Sequence, residues 1–242
     1  MVQQRVLRVV GGVLFALGIM LGVLFWGSAV WADIEAFLFD SSLSADASLP
    51  SLRCPVLVTT AEGSEIKATF TNPLDRAIRP KYTFHVTDGF VSLMREDAAF
   101  LQLDPGVHKQ LSWQVTAEDA AWEYFILARV YLQRAYPLPS RTSSCGIVVL
   151  NVSSMNGNQL AVVVILVTVL LTGLGFYLWY AACRPLEGRR MQEARGRMAL
   201  MILAGLGIVF GTLGFWLPGL ICLIVLVLLI VVMLARAAME TA

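Results

Sequence analysis

The sequence predicts an α-helical membrane protein with four transmembrane helices and an all-β domain inserted after the first helix. Three observations support this prediction. Of the 242 residues, 57% are hydrophobic and 14% are charged, whereas soluble domains carry about 25% charged residues. Long charge-free apolar runs lie at both ends of the chain. The stretch between them alternates apolar and polar side chains with the two-residue period of β-strands.

Three charge-free runs mark the membrane segments, at residues 9–32, 159–183 and 198–235. A helix needs about 20 apolar residues to cross the hydrocarbon core, so each of the first two runs fits one crossing. The third run is nearly twice that length, and Pro218-Gly219 near its middle indicates a turn. We therefore predict a hairpin at residues 216–219. The predicted transmembrane helices cover residues 1–32, 158–183, 198–216 and 217–235.

The first helix has an alternative interpretation as a signal peptide. Residues 1–32 have a basic start, an apolar middle and the sequence Val30-Trp31-Ala32, which suits a cleavage site. The apolar stretch is longer than the roughly 7–15 residues usual in signal peptides, and we therefore expect it to remain as an anchor. Cleavage would leave three helices with the β domain on the same side.

The basic residues predict the orientation in the membrane, because Lys and Arg concentrate on the cytoplasmic side. Acidic side chains outnumber basic ones in residues 33–158, and the reverse holds in the rest of the chain. We therefore expect residues 33–158 to be extracytoplasmic, and both termini, the loop at 184–197 and the tail at 236–242 to be cytoplasmic. The residues that determine this orientation are Arg5, Arg8, Arg184, Arg189, Arg190, Arg195 and Arg197.

The segment between the first two helices divides into a linker and a domain. Residues 33–50 are rich in Ser, Asp and Ala, which is typical of a linker. Residues 51–157 alternate apolar and polar side chains, as in Tyr82-Phe84-Val86, and turn signals such as Asp88-Gly89 separate the alternating stretches. About seven or eight short strands of this kind predict an antiparallel β-sandwich.

One sequence pattern carries a resemblance at the level of the fold. Leu103-Asp104-Pro105-Gly106 is followed by Leu111-Ser112-Trp113. This order resembles the way a strand begins in many bacterial immunoglobulin-like sandwiches, and the likeness covers about 100 residues. The resemblance implies an immunoglobulin-like antiparallel sandwich, and a fold of this class implies no activity by itself.

The four cysteines separate by predicted compartment. Cys54 and Cys145 are the only two in the extracytoplasmic domain, where an oxidising environment permits a disulfide. We predict that they are bonded and join the first core strand to the last. Cys183 and Cys222 fall at the end of the second helix and within the fourth, and we expect reduced thiols packed as small hydrophobic groups.

No pattern in the sequence points to catalysis or to a bound cofactor. Walker, dinucleotide-binding and G-x-S-x-G motifs are missing, and no calcium-binding loop is present. The two histidines, His85 and His108, fall on polar positions of strands. A net charge of +1 provides no basic surface for nucleic acid. We therefore expect no enzymatic activity, no catalytic residues, no metal site and no cofactor.

Glycines at four-residue spacing mark two helix faces. Gly18 and Gly22 have this spacing in the first helix, and Gly207 and Gly211 have it in the third. Small residues four apart allow two helix backbones to approach closely. These faces either pack inside the four-helix unit or dock against a partner membrane protein, and the sequence leaves both alternatives open.

These observations predict a multi-pass protein of the cell membrane that acts as a structural, assembly or accessory subunit. It would bind another membrane or extracytoplasmic protein through its β-sandwich and its glycine-rich helices. The alternative is a membrane sensor or transport-associated component that couples an outer binding event to the cytoplasmic basic loop. The preference for Arg over Lys is typical of a GC-rich bacterial genome, so we expect a bacterial source.

Overall fold

The chain divides into a helical unit and a β unit in a computed structural model, which describes residues 2–185 and 187–239. The helical unit comprises the residues up to Val30 and from Ala161 onward, and the β unit comprises Trp31–Leu160. The helices are α1 (Val2–Leu38), α2 (Gly157–Ala182), α3 (Arg189–Thr212) and α4 (Trp216–Met239).

All four helices are long and apolar enough to cross a membrane, which confirms the predicted number of candidate spans. Their bounds differ from the predicted ones at four places, and one of these is the end of α4 at Met239 instead of residue 235. α1 continues to Leu38, because residues 33–38 contain no Gly or Pro to end the helix. The beginning of the predicted linker at residues 33–50 is therefore helical.

The other two differences concern α3 and the hairpin. α3 begins at Arg189 rather than at residue 198, because residues 189–197 are mostly good helix formers, and most of the predicted loop at 184–197 is helical. The turn before α4 lies at residues 213–215, where Gly214 adopts a φ of +73°. Pro218 lies in the first turn of α4, where a backbone N–H would have no acceptor within the helix, so a proline is tolerated.

The β unit contains eight strands in two sheets. The larger sheet has the order β1-β8-β7-β4-β5, with β2 also paired to β8, and β3 and β6 form the second sheet. A short 3-10 helix, Ala117–Asp119, precedes β7. The strands are β1 (Ala47–Ser48), β2 (Leu57–Thr59), β3 (Ser64–Thr71), β4 (Lys81–Asp88), β5 (Phe90–Phe100), β6 (His108–Val115), β7 (Phe125–Leu132) and β8 (Arg141–Leu150).

The larger sheet is mixed, which corrects the prediction of a purely antiparallel arrangement. β1 and β2 both run parallel to β8, pairing Ala47 with Arg141 and Leu57 with Val148. The chain follows the edge of β8 in one direction through these two short strands. Pro50 and Pro55 lie between them, and a residue without an N–H interrupts regular pairing there.

The two sheets share one hydrophobic core, and the predicted alternation of side chains is observed. Ile66, Ala68 and Phe70 on β3 are buried, as are their counterparts on β4, β7 and β8. The ring of Trp113 on β6 stacks on the ring of Phe84 on β4 at a centroid distance of 4.5 Å. The aromatic stack therefore ties one sheet to the other.

Candidate functional site

The predicted disulfide is present between Cys54 and Cys145, with Cα atoms 6.5 Å apart. The two residues lie 91 positions apart in the chain, and both pack against the shared core. The bond therefore ties the segment between β1 and β2 to β8. Cys183 and Cys222 are free and buried, as expected.

β5 forms one edge of the larger sheet. Within the described chain it pairs with β4 alone, in a register that runs from Lys81 opposite Phe100 to Thr87 opposite Met94. All side chains from Leu93 to Phe100 are exposed, although neighbouring residues of a strand point to opposite faces. A long edge strand of this kind presents a row of unpaired backbone groups to its surroundings.

Two polar side chains, Arg95 and Asp97, hold the inner face of β5 against the core. The Asp97 carboxylate accepts hydrogen bonds from Tyr82 Oη at 3.0 Å and from Trp113 Nε1 at 2.7 Å. Arg95 forms an ion pair with Asp119 at 3.3 Å. Burial, together with the hydrogen bond and charge of Asp97, raises the pKa of Tyr82 above its ordinary value of 10.0, so Tyr82 remains a donor. These contacts are made by side chains, and among the described strands only β4 pairs with the backbone of β5.

The last residues of α1 cover the outer face of the larger sheet. Gly146 on β8 lies so close to the backbone of Ala32 that a side chain there would overlap it. The Gly146 N–H donates to Asp33 Oδ1 at 3.0 Å. Ala36 and Phe39 pack on Leu127 of β7. The sheet is therefore covered on both faces in this region.

A polar cluster holds the C-terminal end of α1. Arg129 on β7 donates to the backbone oxygens of Phe37 at 2.7 Å and Asp40 at 2.5 Å. These bonds tie the end of α1 to β7. His85 Nδ1 lies 2.6 Å from Asp40 Oδ2, and His85 Nε2 lies 3.6 Å from Glu96.

Asp40 is the acidic centre of this cluster. Burial opposes ionisation of its carboxyl group, but hydrogen bonds from Ser42 and His85 and the charges of His85 and Arg129 outweigh burial. The pKa of Asp40 therefore lies below its ordinary value of 3.8. Alternation correctly places His85 on the outer face of β4, but the sequence carries no signal that α1 covers this face.

The structure places the four spaced glycines at helix contacts inside the helical unit. A Cβ atom on Gly18 would lie 2.7 Å from Thr172 of α2, and one on Gly22 would lie 2.9 Å from Thr168. Gly207 and Gly211 of α3 face Trp26 of α1, and Cβ atoms on these glycines would lie 2.6 and 3.3 Å from its nearest atoms. Other helices of the same unit therefore occupy both faces.

The residues that predict the orientation do not form one cluster. Arg197 lies inside α3, with its guanidinium 4.2 Å from the ring centroid of Trp179. Arg184 lies over the Tyr180 ring at 4.7 Å, and Arg190 Nη1 donates to the Cys183 carbonyl. Arg189 begins α3. Among the members of this set whose side chains the structure describes, those of Arg5, Arg8, Arg184, Arg190 and Arg195 are exposed.

The described residues contain no group of three His, Cys, Asp or Glu side chains that could hold a metal ion. His108 lies apart from His85 and contacts the hydroxyl of Thr71 at 2.8 Å. The features that the described residues do present are the β5 edge of the larger sheet and the polar cluster at the end of α1.

Comparison with solved structures gives weak structural similarities. No family model matches the chain, and no curated protein matches it. A cycloisomaltooligosaccharide glucanotransferase from Paenibacillus sp. is 10% identical with a TM-score of 0.32, over 46% of this chain and 15% of that chain. A β-glucosidase from Listeria innocua is 16% identical with a TM-score of 0.26, over 44% of this chain and 16% of that one. Likenesses this low carry no argument about function.

Proposed function

We propose that the protein is a membrane-anchored structural or accessory subunit whose β domain binds an extracytoplasmic segment of another protein. The observation that supports this proposal is the edge strand β5, which pairs with β4 alone among the described strands. An extended peptide can add to such an edge through main-chain hydrogen bonds, while side chains at alternate positions provide specificity.

The side chains of β5 indicate what kind of segment it would accept. Leu93 is 58% exposed and Phe100 is 61% exposed, one near each end of the described side chains of the strand. Arg95, Glu96 and Asp97 lie between them. A matching strand would carry apolar residues toward its ends and a basic residue opposite Glu96, because opposite charges stabilise cross-strand pairs. Arg95 and Asp97 already form contacts within the domain.

The proposal includes an extracytoplasmic β domain and cytoplasmic termini. It does so because Lys and Arg concentrate on the cytoplasmic side of a membrane, and they exceed Asp and Glu in the chain outside residues 33–158. It also includes an immunoglobulin-like arrangement of the two sheets, for which the common core and the Trp113–Phe84 stack are the support. The proposed binding surface is limited to the β domain, because α1, α2 and α3 contact one another at the spaced glycines.

A second function, sensing, has one observation in its favour. α1 is continuous from Val2 to Leu38, and its last residues are held on the sheet by Gly146 and Arg129. A binding event that moved these strands would therefore act on the same helix that contains a candidate membrane span. A ligand-dependent change in the exposure of the cytoplasmic loop would support this alternative.

Strand addition can be tested by photo-crosslinking in intact cells. A photoreactive residue at Leu93 should give an adduct with one partner segment, mapped by mass spectrometry, whereas the same residue at Tyr136 should not. Tyr136 is the matched control because it is 75% exposed and lies outside β5. Leu93→Lys should abolish co-purification of that partner, and Val107→Lys should not, because charged side chains block edge pairing. Equal adducts at both positions would contradict the proposal.

A further inference from the structure

An aromatic turn projects from the β unit between the 3-10 helix and β7. Ala121 pairs with Phe125, and the Tyr124 N–H donates to the Ala121 carbonyl at 3.1 Å. Trp122 and Glu123, which form the tip, adopt φ values of +50° and +67°. A bulky residue rarely adopts this left-handed conformation, and such strain is concentrated at functional positions.

The base of this turn is fixed, whereas its tip is exposed. Ala121 is fully buried, the Val149 N–H donates to the Tyr124 carbonyl at 2.8 Å, and the Thr87 hydroxyl donates to the Asp119 carbonyl at 2.7 Å. Trp122 nevertheless has 53% of its surface exposed, and Tyr124 has 64%. A firmly held backbone therefore presents two large aromatic side chains to the surroundings.

The turn lies at the end of the sheet from which the chain continues into α2. Phe125 pairs with Val148, two residues before the end of β8. α2 begins at Gly157, whose N–H donates to Glu62 Oε1 at 2.5 Å and which lies against the backbone of Leu57. From the end of β8 to Gly157 the chain can extend at most about 25 Å. α2 is a candidate membrane span, and the chain reaches it directly from this end of the sheet.

We propose that Trp122 and Tyr124 insert into the headgroup region of the bilayer that α2 enters. Trp and Tyr favour the membrane interface because each combines an apolar ring with a polar group that stays hydrated. Glu123 lies between Trp122 and Tyr124 in the sequence, and Glu118 is also close in sequence. The expected surface is therefore zwitterionic phospholipid, because anionic headgroups repel these carboxylates. Insertion uses neither the edge of β5 nor its partner.

Site-directed spin labelling of the full chain tests this proposal. Cys183→Ala and Cys222→Ala remove the free thiols and leave the disulfide in place. A nitroxide is then attached at Tyr124→Cys or, as the matched control, at Tyr136→Cys, which is an exposed tyrosine in the turn at the opposite end of β7 and β8. Each variant is reconstituted in phosphatidylcholine vesicles. Relaxation by oxygen, which enters lipid, is compared with relaxation by a nickel chelate, which stays in water.

We expect the label at position 124 to shift toward oxygen relaxation and the label at position 136 to be relaxed mainly by the nickel chelate. Adding Trp122→Ser should shift the label at position 124 to the values of the control, since the neighbouring ring is then lost. Replacing part of the phosphatidylcholine by phosphatidylglycerol should not increase insertion. The proposal is overturned if both positions respond equally to the nickel chelate. A label at position 124 that is shielded from both reagents also overturns it, because a protein partner would then cover the turn.

Discussion

Adding one methyl group at Gly146 tests how the end of α1 is held on the sheet. A Cβ atom there would overlap the backbone of Ala32 and lie 2.7 Å from the Asp33 nitrogen. Neither neighbour is the flexible end of a side chain, so Gly146→Ala forces the helix away from β8. Displacement breaks the Asp33–Gly146 hydrogen bond and loosens Phe39, which is 7% exposed.

The size of the effect follows from these two losses. The hydrogen bond contributes about 1–3 kcal/mol, because the Gly146 N–H loses a buried partner. Fully exposing a Phe side chain costs about 1.5–3 kcal/mol, and a small shift exposes only part of it. We therefore expect the free energy of opening for the α1 end to fall by about 2–3 kcal/mol, which speeds amide exchange there about 30- to 160-fold.

Hydrogen–deuterium exchange of the full chain in detergent measures this change residue by residue. Gly63→Ala is the matched control in the same unit, because a Cβ atom on Gly63 would meet its nearest neighbours at 3.8 Å, an ordinary contact. Exchange at the Gly146 amide and at residues 33–39 should rise in Gly146→Ala and stay unchanged in Gly63→Ala. Equal protection in the two variants would refute the close packing of α1 on β8.

Three further predictions concern the disulfide, the Asp40 carboxyl group and the contact between α1 and α2. Replacing Cys54 or Cys145 by Ser should lower the free energy of unfolding of the β unit by at most about 4–5 kcal/mol, seen as an earlier denaturant midpoint. Because the pKa of Asp40 is lowered, ionised Asp40 stabilises the fold above pH 3.8, and this contribution is lost as the pH falls below that value. In Asp40→Asn, the thermal unfolding midpoint should therefore fall less steeply as the pH is lowered below 3.8. An equally steep fall in the variant and the unchanged protein would contradict this prediction. Gly18→Ala should lower the melting temperature of the helical unit, whereas Gly12→Ala, whose Cβ would meet no atom of the described structure within 4 Å, should not.

The sequence by itself determined the features that depend on local pattern. Long charge-free runs identify the four apolar helices, because a membrane-spanning helix needs about 20 consecutive apolar residues wherever it packs. Alternation identifies the strands, because one face of each strand must be buried. Compartment and cysteine count identify the Cys54–Cys145 bond, since these are the only two cysteines of the β unit.

Only the tertiary structure decided which surfaces those elements cover. The sequence predicts a linker for DIEAFL, whereas in the structure this segment is helical and packs on Leu127 and Gly146. The parallel pairing of β1 and β2 depends on backbone hydrogen bonds to β8, which any side chain permits. Whether Gly18 faces α2 or a partner depends on how the helices pack, because close approach requires small residues in either case. Each of these outcomes depends on contacts between residues far apart in the chain, which periodicity and composition do not encode.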